Sequence, residues 1–263
     1  MTEKTLYISD LDGTLLAPGA CLTPKTVDIL GRLIDAGGLF TAATARILIG
    51  LNLLDLSGVK WNVPFVLGNG SMLYDMSRRK VVETRALSPD TIRRVLDICA
   101  GYGKTPLLYQ VHADEVMGVS TGVTSEGERA FMDKRNARFP GCIRILPAYE
   151  PETGGFYFSM QDTREKMEAL AAALRDVPGI QTVVYRDVYM ENNWFMEIFH
   201  AGAGKDAAMR SLRERLGATR VVAFGDNLND LPMLKAADVA CVVANGLPEA
   251  KAQADEVIGG NDE

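Results

Sequence analysis

The 263-residue sequence has no basic run, and its 28 Lys and Arg are outnumbered by 34 Asp and Glu, leaving a net charge of −6. Nucleic-acid binding needs clustered positive charge to neutralise phosphates, and an anionic membrane attracts polybasic segments. Neither is therefore an expected partner. Long apolar runs are also missing. The longest uncharged stretch, from Trp61 to Tyr74, is broken by Pro64, Gly68 and Gly70, whereas a membrane-spanning helix needs about 20 apolar residues. The opening Met1-Thr2-Glu3-Lys4 lacks the charged-then-apolar pattern of a secretion signal. The four cysteines, Cys21, Cys99, Cys142 and Cys241, form no paired motif, so reduced thiols and a cytoplasmic location are expected. The two histidines, His112 and His200, read as structural or solvated residues. What is present is an ordinary globular composition, 47% hydrophobic and 24% charged, which excludes wholesale disorder.

The chain begins with a short apolar run, residues 5–9, followed at once by Asp10-Leu11-Asp12-Gly13-Thr14. Thr23-Pro24 then opens a helix with Thr as N-cap and Pro at the first position, and Gly37-Gly38 stops it. Residues 39–43 and 64–67 are further apolar runs. The same alternation returns near the C-terminus, with a helix from Lys205 to Leu216, strands at 220–224 and 239–243, and a short helix after Leu247. Strands alternating with helices predict an α/β core with a Rossmann-like parallel sheet covered on both faces. The middle reads differently. A helix capped by Ser88-Pro89, another over residues 163–174, and apolar stretches at 107–111, 156–160, 182–185 and 194–199 predict an α+β domain inserted into the core. The expected boundaries are 1–83 and 191–263 for the core and 84–190 for the insert.

Asp10 and Asp12 stand at the carboxyl end of the first strand, where ligands bind in open α/β sheets. A pair of turn residues would explain an isolated Asp-x-Asp equally well. Here a second acidic cluster, Gly225-Asp226-Asn227-Leu228-Asn229-Asp230, follows another apolar strand. Up to four carboxylates in one crevice would repel one another unless a hard divalent cation such as Mg²⁺ neutralised them. Thr44 ends its strand and could hold a phosphate oxygen, although a helix cap is the commoner use of such a residue. Lys205 opens a helix, where the dipole disfavours a cation, yet a solvated surface Lys would be the commoner explanation. The stretch 185–189 and Asn192, Asn193 and Trp194 are candidates for a substrate pocket, explained as well by packing.

Taken in order, Asp10-Leu11-Asp12-Gly13-Thr14-Leu15, Thr44, Lys205 and Gly225-Asp226-x-x-Asn229-Asp230 resemble the four motifs of the haloacid dehalogenase superfamily. The insert between Thr44 and Lys205 is similar in size and grammar to that of its Cof-like subgroup of small-molecule phosphatases. So are residues 66–70 and Asn245. The resemblance implies an inserted cap over a Mg²⁺-dependent phosphatase site. Asp10 would be the nucleophile, forming an aspartyl-phosphate, and Asp12 the acid and base. Thr44 and Lys205 would bind the transferring phosphoryl group, and Asp226 would ligate Mg²⁺ with Asp10 and the backbone carbonyl of Asp12. Asp230 and Asn229 would support the metal and Lys205. One departure stands out: the subgroup's usual Thr-Gly-Arg is Thr44-Ala45-Arg46 here. Ala45 restricts the loop to ordinary φ values, and Arg46 could face substrate or pair with an acidic residue. The expected partner is a small phosphate ester, foremost a sugar phosphate, with nothing in the sequence specifying an oligomer. A phosphomutase and a catalytically silent phosphate-binding module are the competing readings. The second would be expected to lack Asp10, Asp12, Lys205 or Asp226.

Overall fold

Near-continuous apolar strands can be satisfied only by burial on both faces, and four short runs of this kind, with a more exposed edge strand, form one all-parallel sheet. A computed structural model, describing residues 4–187 and 190–263, orders them Glu256–Ile258, Val239–Val243, Arg220–Gly225, Thr5–Ser9 and Leu39–Ala42. Thr5–Ser9 lies between its two parallel neighbours, with Ser9 opposite both Phe224 and Ala42. The sheet and the helices Lys205–Leu216 and Leu231–Ala236 share one core, built from residues such as Leu6, Ile8, Val221, Ala223, Val242, Met209, Leu212, Met233 and Leu234. Helix Pro24–Asp35 starts as its sequence predicts: the Thr23 hydroxyl accepts the Thr26 N–H at 3.1 Å, and Pro24 occupies the first turn. Phe65–Leu67 joins this sheet only through a bridge from Ala43 to Val66. Its regular partner is Met72–Asp75, in a separate three-stranded sheet that Lys80–Thr84 completes.

The chain divides into two compact units. One runs to Glu83 and resumes over Ala203–Glu263; the other is Thr84–Gly202. The return therefore falls twelve residues later than the expected position 191, because Trp194–His200 pairs antiparallel with Ile180–Arg186 on one side and with Tyr157–Asp162 on the other. It is an interior strand of the inserted unit's six-stranded sheet.

Helices Pro89–Gly101 and Arg164–Leu174 cover one face of that sheet, burying Ile92, Val95, Met167 and Leu170 against Phe158, Met160, Met196 and Ile198. A third helix, Glu126–Arg138, has no counterpart in the sequence reading because its residues show little apolar periodicity. It is anchored instead by charge. Lys104 Nζ lies 3.0 Å from Glu128 Oε1 and 3.2 Å from Asp162 Oδ2, all three side chains being buried. Phe131 of this helix meets Phe195 edge-on, on the face opposite Met196. Of the candidate pocket residues in this unit, Asn193, Asp187 and Trp194 are engaged within it, whereas Tyr185, Arg186 and Asn192 are exposed. Asn193 donates to Gln161 Oε1 at 2.7 Å and to Asp187 Oδ2 at 2.9 Å, and Trp194 packs on the core. His200 Nδ1 accepts the Gly202 N–H. Val188 and Tyr189, also in that candidate stretch, lie outside the described residues.

Glu197 is buried within the inserted sheet, where the Tyr185 hydroxyl donates to it at 2.7 Å. Burial pushes its carboxyl up to about 7 against the pull of neighbouring tyrosine hydroxyls. The folded state therefore holds this proton more tightly than the unfolded chain, whose carboxyl titrates near 4.5. Its contribution to stability is complete below that value and declines as pH rises through about 7, by on the order of 3 kcal/mol. Glu197→Gln keeps the shape without the charge. Denaturant unfolding at pH 5 and pH 8 should show a smaller loss of stability with rising pH in this variant than in the wild type. An unchanged pH slope would place the titration elsewhere.

Candidate active site

Three strand ends and one helix start build the site from the chain upward. Asp10 directly follows Thr5–Ser9, and its N–H donates to Phe224 O in the neighbouring strand at 2.9 Å. Asp226 follows Arg220–Gly225, so parallel pairing of these two strands sets the two carboxylates side by side. Asp230 lies one turn further on, fully buried. Its Oδ2 accepts the N–H groups of Asp226 and Asn227, each at 3.1 Å. Oxygens of Asp10, Asp226 and Asp230 all fall within 4.8 Å of one another.

Lys205 enters this cluster from the first position of its helix. Its Nζ lies 2.5 Å from Asp10 Oδ1 and 2.7 Å from Asp230 Oδ1, and the side chain is buried. Burial alone would lower the Lys205 pKa, but the two carboxylates outweigh it and raise the ammonium's pKa further. Burial pushes Asp10 up to about 7. The Lys205 charge pulls against that shift, while the Asp230 and Asp226 charges add to it. Asp226 is likewise raised by its burial, and the Thr14 hydroxyl, donating to its Oδ1 at 2.9 Å, opposes this. Three carboxylates against one ammonium leave two negative charges uncompensated. A hard dication surrounded by oxygen donors fits that excess.

Two glycines allow the close approach. Gly70, at φ +91°, sits where an added Cβ would come within 2.3 Å of the Gly204 carbonyl oxygen, immediately before Lys205. Gly13, at φ +89°, faces Asp226, whose Oδ2 would lie 2.6 Å from a Cβ. The Thr44 loop closes on the same segment. Thr44 N–H donates to Val66 O, Asn69 N–H to Thr44 O and Gly68 N–H to Arg46 O, at 2.9–3.0 Å. Thr44 is buried, and its Oγ1 accepts the Arg46 N–H at 3.1 Å. Ala45 is not among the residues with positive φ, so the methyl group is accommodated without left-handed strain.

All nine residues singled out in the sequence, Asp10, Asp12, Thr44, Ala45, Arg46, Lys205, Asp226, Asn229 and Asp230, fall within one compact unit. Their arrangement differs from expectation in two respects. The Asp12 carboxylate is not part of the acidic cluster: Arg46 grips both its oxygens, Nε to Oδ2 at 2.7 Å and NH2 to Oδ1 at 2.6 Å. Asn229 is exposed, and the residue of this motif that contacts Lys205 is Asp230. Thr14, which orients Asp226, was hidden within the first motif as an ordinary turn residue.

Comparison with known proteins follows the same lines. A family model described as haloacid dehalogenase-like hydrolase matches residues 7–263. A pyridoxal phosphate phosphatase of Escherichia coli (strain K12) is 27% identical over 273 residues, covering 99% of this chain and 95% of the relative. An HMP-PP phosphatase of Serratia proteamaculans (strain 568) is 26% identical over 248 residues, covering 92% and 84% respectively. Among solved structures, a haloacid dehalogenase-like hydrolase from Bacteroides thetaiotaomicron superposes with a TM-score of 0.79 at 20% identity, over 99% of this chain and 96% of that one.

Proposed function

The chain belongs to the haloacid dehalogenase-like hydrolase family, and from that premise we propose that it is a Mg²⁺-dependent phosphatase that releases phosphate from a small phosphorylated metabolite. That it is an enzyme of the phosphatase kind follows from the family and its phosphatase relatives. The observation that carries the finer reading is the buried contact of Lys205 with Asp10 inside the carboxylate cluster. A carboxylate placed beside a fixed ammonium is directed at an electrophile that gains negative charge. A phosphoryl group in transfer meets that description, because its charge spreads over the equatorial oxygens.

In this mechanism an Asp10 carboxylate oxygen bonds to phosphorus as the ester P–O bond breaks. The leaving alkoxide takes a proton from Asp12. Asp12 then takes a proton from water, which attacks the aspartyl-phosphate, releasing phosphate and restoring Asp10. Thr44 and Lys205 hold the phosphoryl oxygens. Both Asp230 oxygens are already engaged, one by Lys205 and one by two amides. The family resemblance implies Asp10, Asp226 and the Asp12 backbone carbonyl as holders of Mg²⁺, and the engaged oxygens of Asp230 suit it to their support. When bound, Mg²⁺ would offset the charge of the carboxylates and of the phosphoryl oxygens. The bidentate Arg46–Asp12 pair must open before Asp12 can exchange protons with a leaving group. Arg46 is thereby assigned to meet the arriving ester.

The test is phosphate release from a panel of monoesters, each assayed with Mg²⁺ and with chelator. Hexose and pentose phosphates, the class favoured from the sequence, are set against pyridoxal 5′-phosphate, a nucleotide and an aryl phosphate. Turnover that requires Mg²⁺ and needs no bisphosphate activator is expected. Absence of turnover on every ester by folded protein would overturn the reading, and a requirement for the activator would favour the mutase.

A further inference from the structure

Residues 11–16 form a tight loop directly after Asp10. The Leu16 N–H donates to Leu11 O at 2.9 Å and the Leu15 N–H to Asp10 O at 3.3 Å. These bonds use the loop's amides. Two of its carbonyls are met from the far end of the chain. Asn245 Nδ2 donates to Gly13 O at 2.7 Å, and Asn261 Nδ2 donates to Leu16 O at 2.8 Å. The two asparagines are themselves linked, because the Asn261 backbone N–H donates to Asn245 Oδ1 at 3.0 Å. Asn245 thus acts in both directions, as donor to the loop and acceptor from the segment after strand Glu256–Ile258.

We propose that Asn245 and Asn261 are positioning residues that clamp the Gly13–Leu16 loop and so hold Asp12 and Thr14 in register for the reaction. The inference rests on the proposed role of Asp12 as acid and base. The clamp grips the loop at both ends of its turn: Gly13 adjoins Asp12, and Leu16 is joined to Asp12 by a β-bridge. Thr14, between the two gripped carbonyls, orients Asp226. Neither asparagine touches a carboxylate of the cluster, so each acts through the backbone alone. A single amide–carbonyl bond on a partly exposed loop adds little to folding stability. Misplacing a reacting group by about 1 Å can nonetheless cost on the order of 10²-fold in rate. The clamp should therefore be far more visible in kcat than in melting temperature.

Asn261→Ala, Asn261→Asp, Asn245→Ala and the Asn245→Ala/Asn261→Ala double variant should be compared as full chains, on the ester that turns over fastest. Each single variant is expected to lose about 10-fold in kcat, with KM within about two-fold because the phosphate-holding groups are untouched. The melting temperature should fall by no more than about 4 °C. The double variant should lose little more than either single, since the two residues act as one device. Asn261→Asp is isosteric but, once ionised, cannot donate to Leu16 O, and it should match Asn261→Ala. Hydrogen exchange at the amides of residues 14–16 should quicken in all four. Wild-type kcat in Asn261→Asp, or unchanged exchange at those amides, overturns the clamp. So does a loss of activity that merely tracks unfolding. If wild-type protein hydrolyses no ester, the reading of function fails, and the exchange measurement alone still decides whether the clamp exists.

Discussion

Asp10→Asn should reduce phosphate release by about 10⁴-fold or more while leaving a folded protein that still binds Mg²⁺ weakly. In the proposed mechanism the substitution removes the nucleophile and with it the covalent route, and losses of this size are typical when a member of a catalytic unit is deleted. The amide retains an oxygen to accept from Lys205, so the ammonium stays paired with both neighbours. One of three crowded carboxylate charges is gone, which relieves repulsion in the metal-free cluster. Thermal unfolding at pH 8 should therefore show a variant at least as stable as the wild type. The wild-type carboxyl, raised to about 7, makes metal-free stability decline as pH climbs from about 4 to 7, and the variant should lack that share of the decline. Acid-quenched wild-type protein mixed with substrate should carry a hydroxylamine-sensitive acyl phosphate, and Asp10→Asn none. A variant retaining a tenth of wild-type turnover, or an acyl phosphate that survives the substitution, would assign the nucleophile elsewhere.

Lys205→Met should be costly in both stability and rate. The methylene stem is replaced in kind, so the lost item is the ammonium itself. Asp10 and Asp230 would be left buried and facing each other without a counter-charge. Breaking a buried pair from one side costs about 3–5 kcal/mol, because the remaining charge has lost both water and partner. The phosphoryl oxygens would also lose their fixed cation, for a further loss of about 10²–10³-fold in kcat. The pH dependence separates this account from a packing defect. Protonation relieves unpaired carboxylates, so the stability gap between variant and wild type should narrow as pH falls from 8 to 5. It should narrow also on addition of Mg²⁺, which stabilises the folded state by binding it. A gap that is constant across pH would identify lost packing as the cause, and equal stability at pH 8 would contradict the buried ion-pair network.

The different costs of these substitutions follow from where each residue sits. Asp10 is placed by a strand end, Lys205 by a helix start, and the two stand 195 positions apart in sequence. The helix dipole opposes a cation at Lys205, a local conflict of the kind that marks functional positions. Its resolution lies in the tertiary fold, where the Gly70–Gly204 approach brings that helix start against the carboxylates.

Features whose causes are local could be read from the chain alone. The Thr23 and Ser88 caps close onto amides three residues away, and both form as their motifs require. Four apolar runs of the parallel sheet needed no partner to be recognised, since burial on both faces leaves its mark along the run, whereas the exposed edge strand Glu256–Ile258 carries no such mark. The acidic residues after two such runs, and the order of the motifs, likewise pointed to the family and to a cation. Features that depend on which distant group arrives first could not be read in this way. The stretch 194–199 is legible as a strand of the insert, but a boundary at 191 is not consistent with it, and the ladders of Trp194–His200 with Ile180–Arg186 and Tyr157–Asp162 are what carry the inserted unit past that point. Glu126–Arg138 lacks apolar periodicity because buried charge pairing, which leaves no period, anchors it. Arg46 had both substrate and acid as candidate partners, and the fold brings it to Asp12, 34 residues away. Asn261 reads as one polar residue in a polar tail; what distinguishes it is a carbonyl 245 residues earlier, presented by a loop that has spent its own amides. Sequence determines which chemistry the chain carries, because residue type and local spacing encode it. Tertiary structure decides which groups act, which support and which clamp, because hydrogen bonds and ion pairs are satisfied by proximity in space.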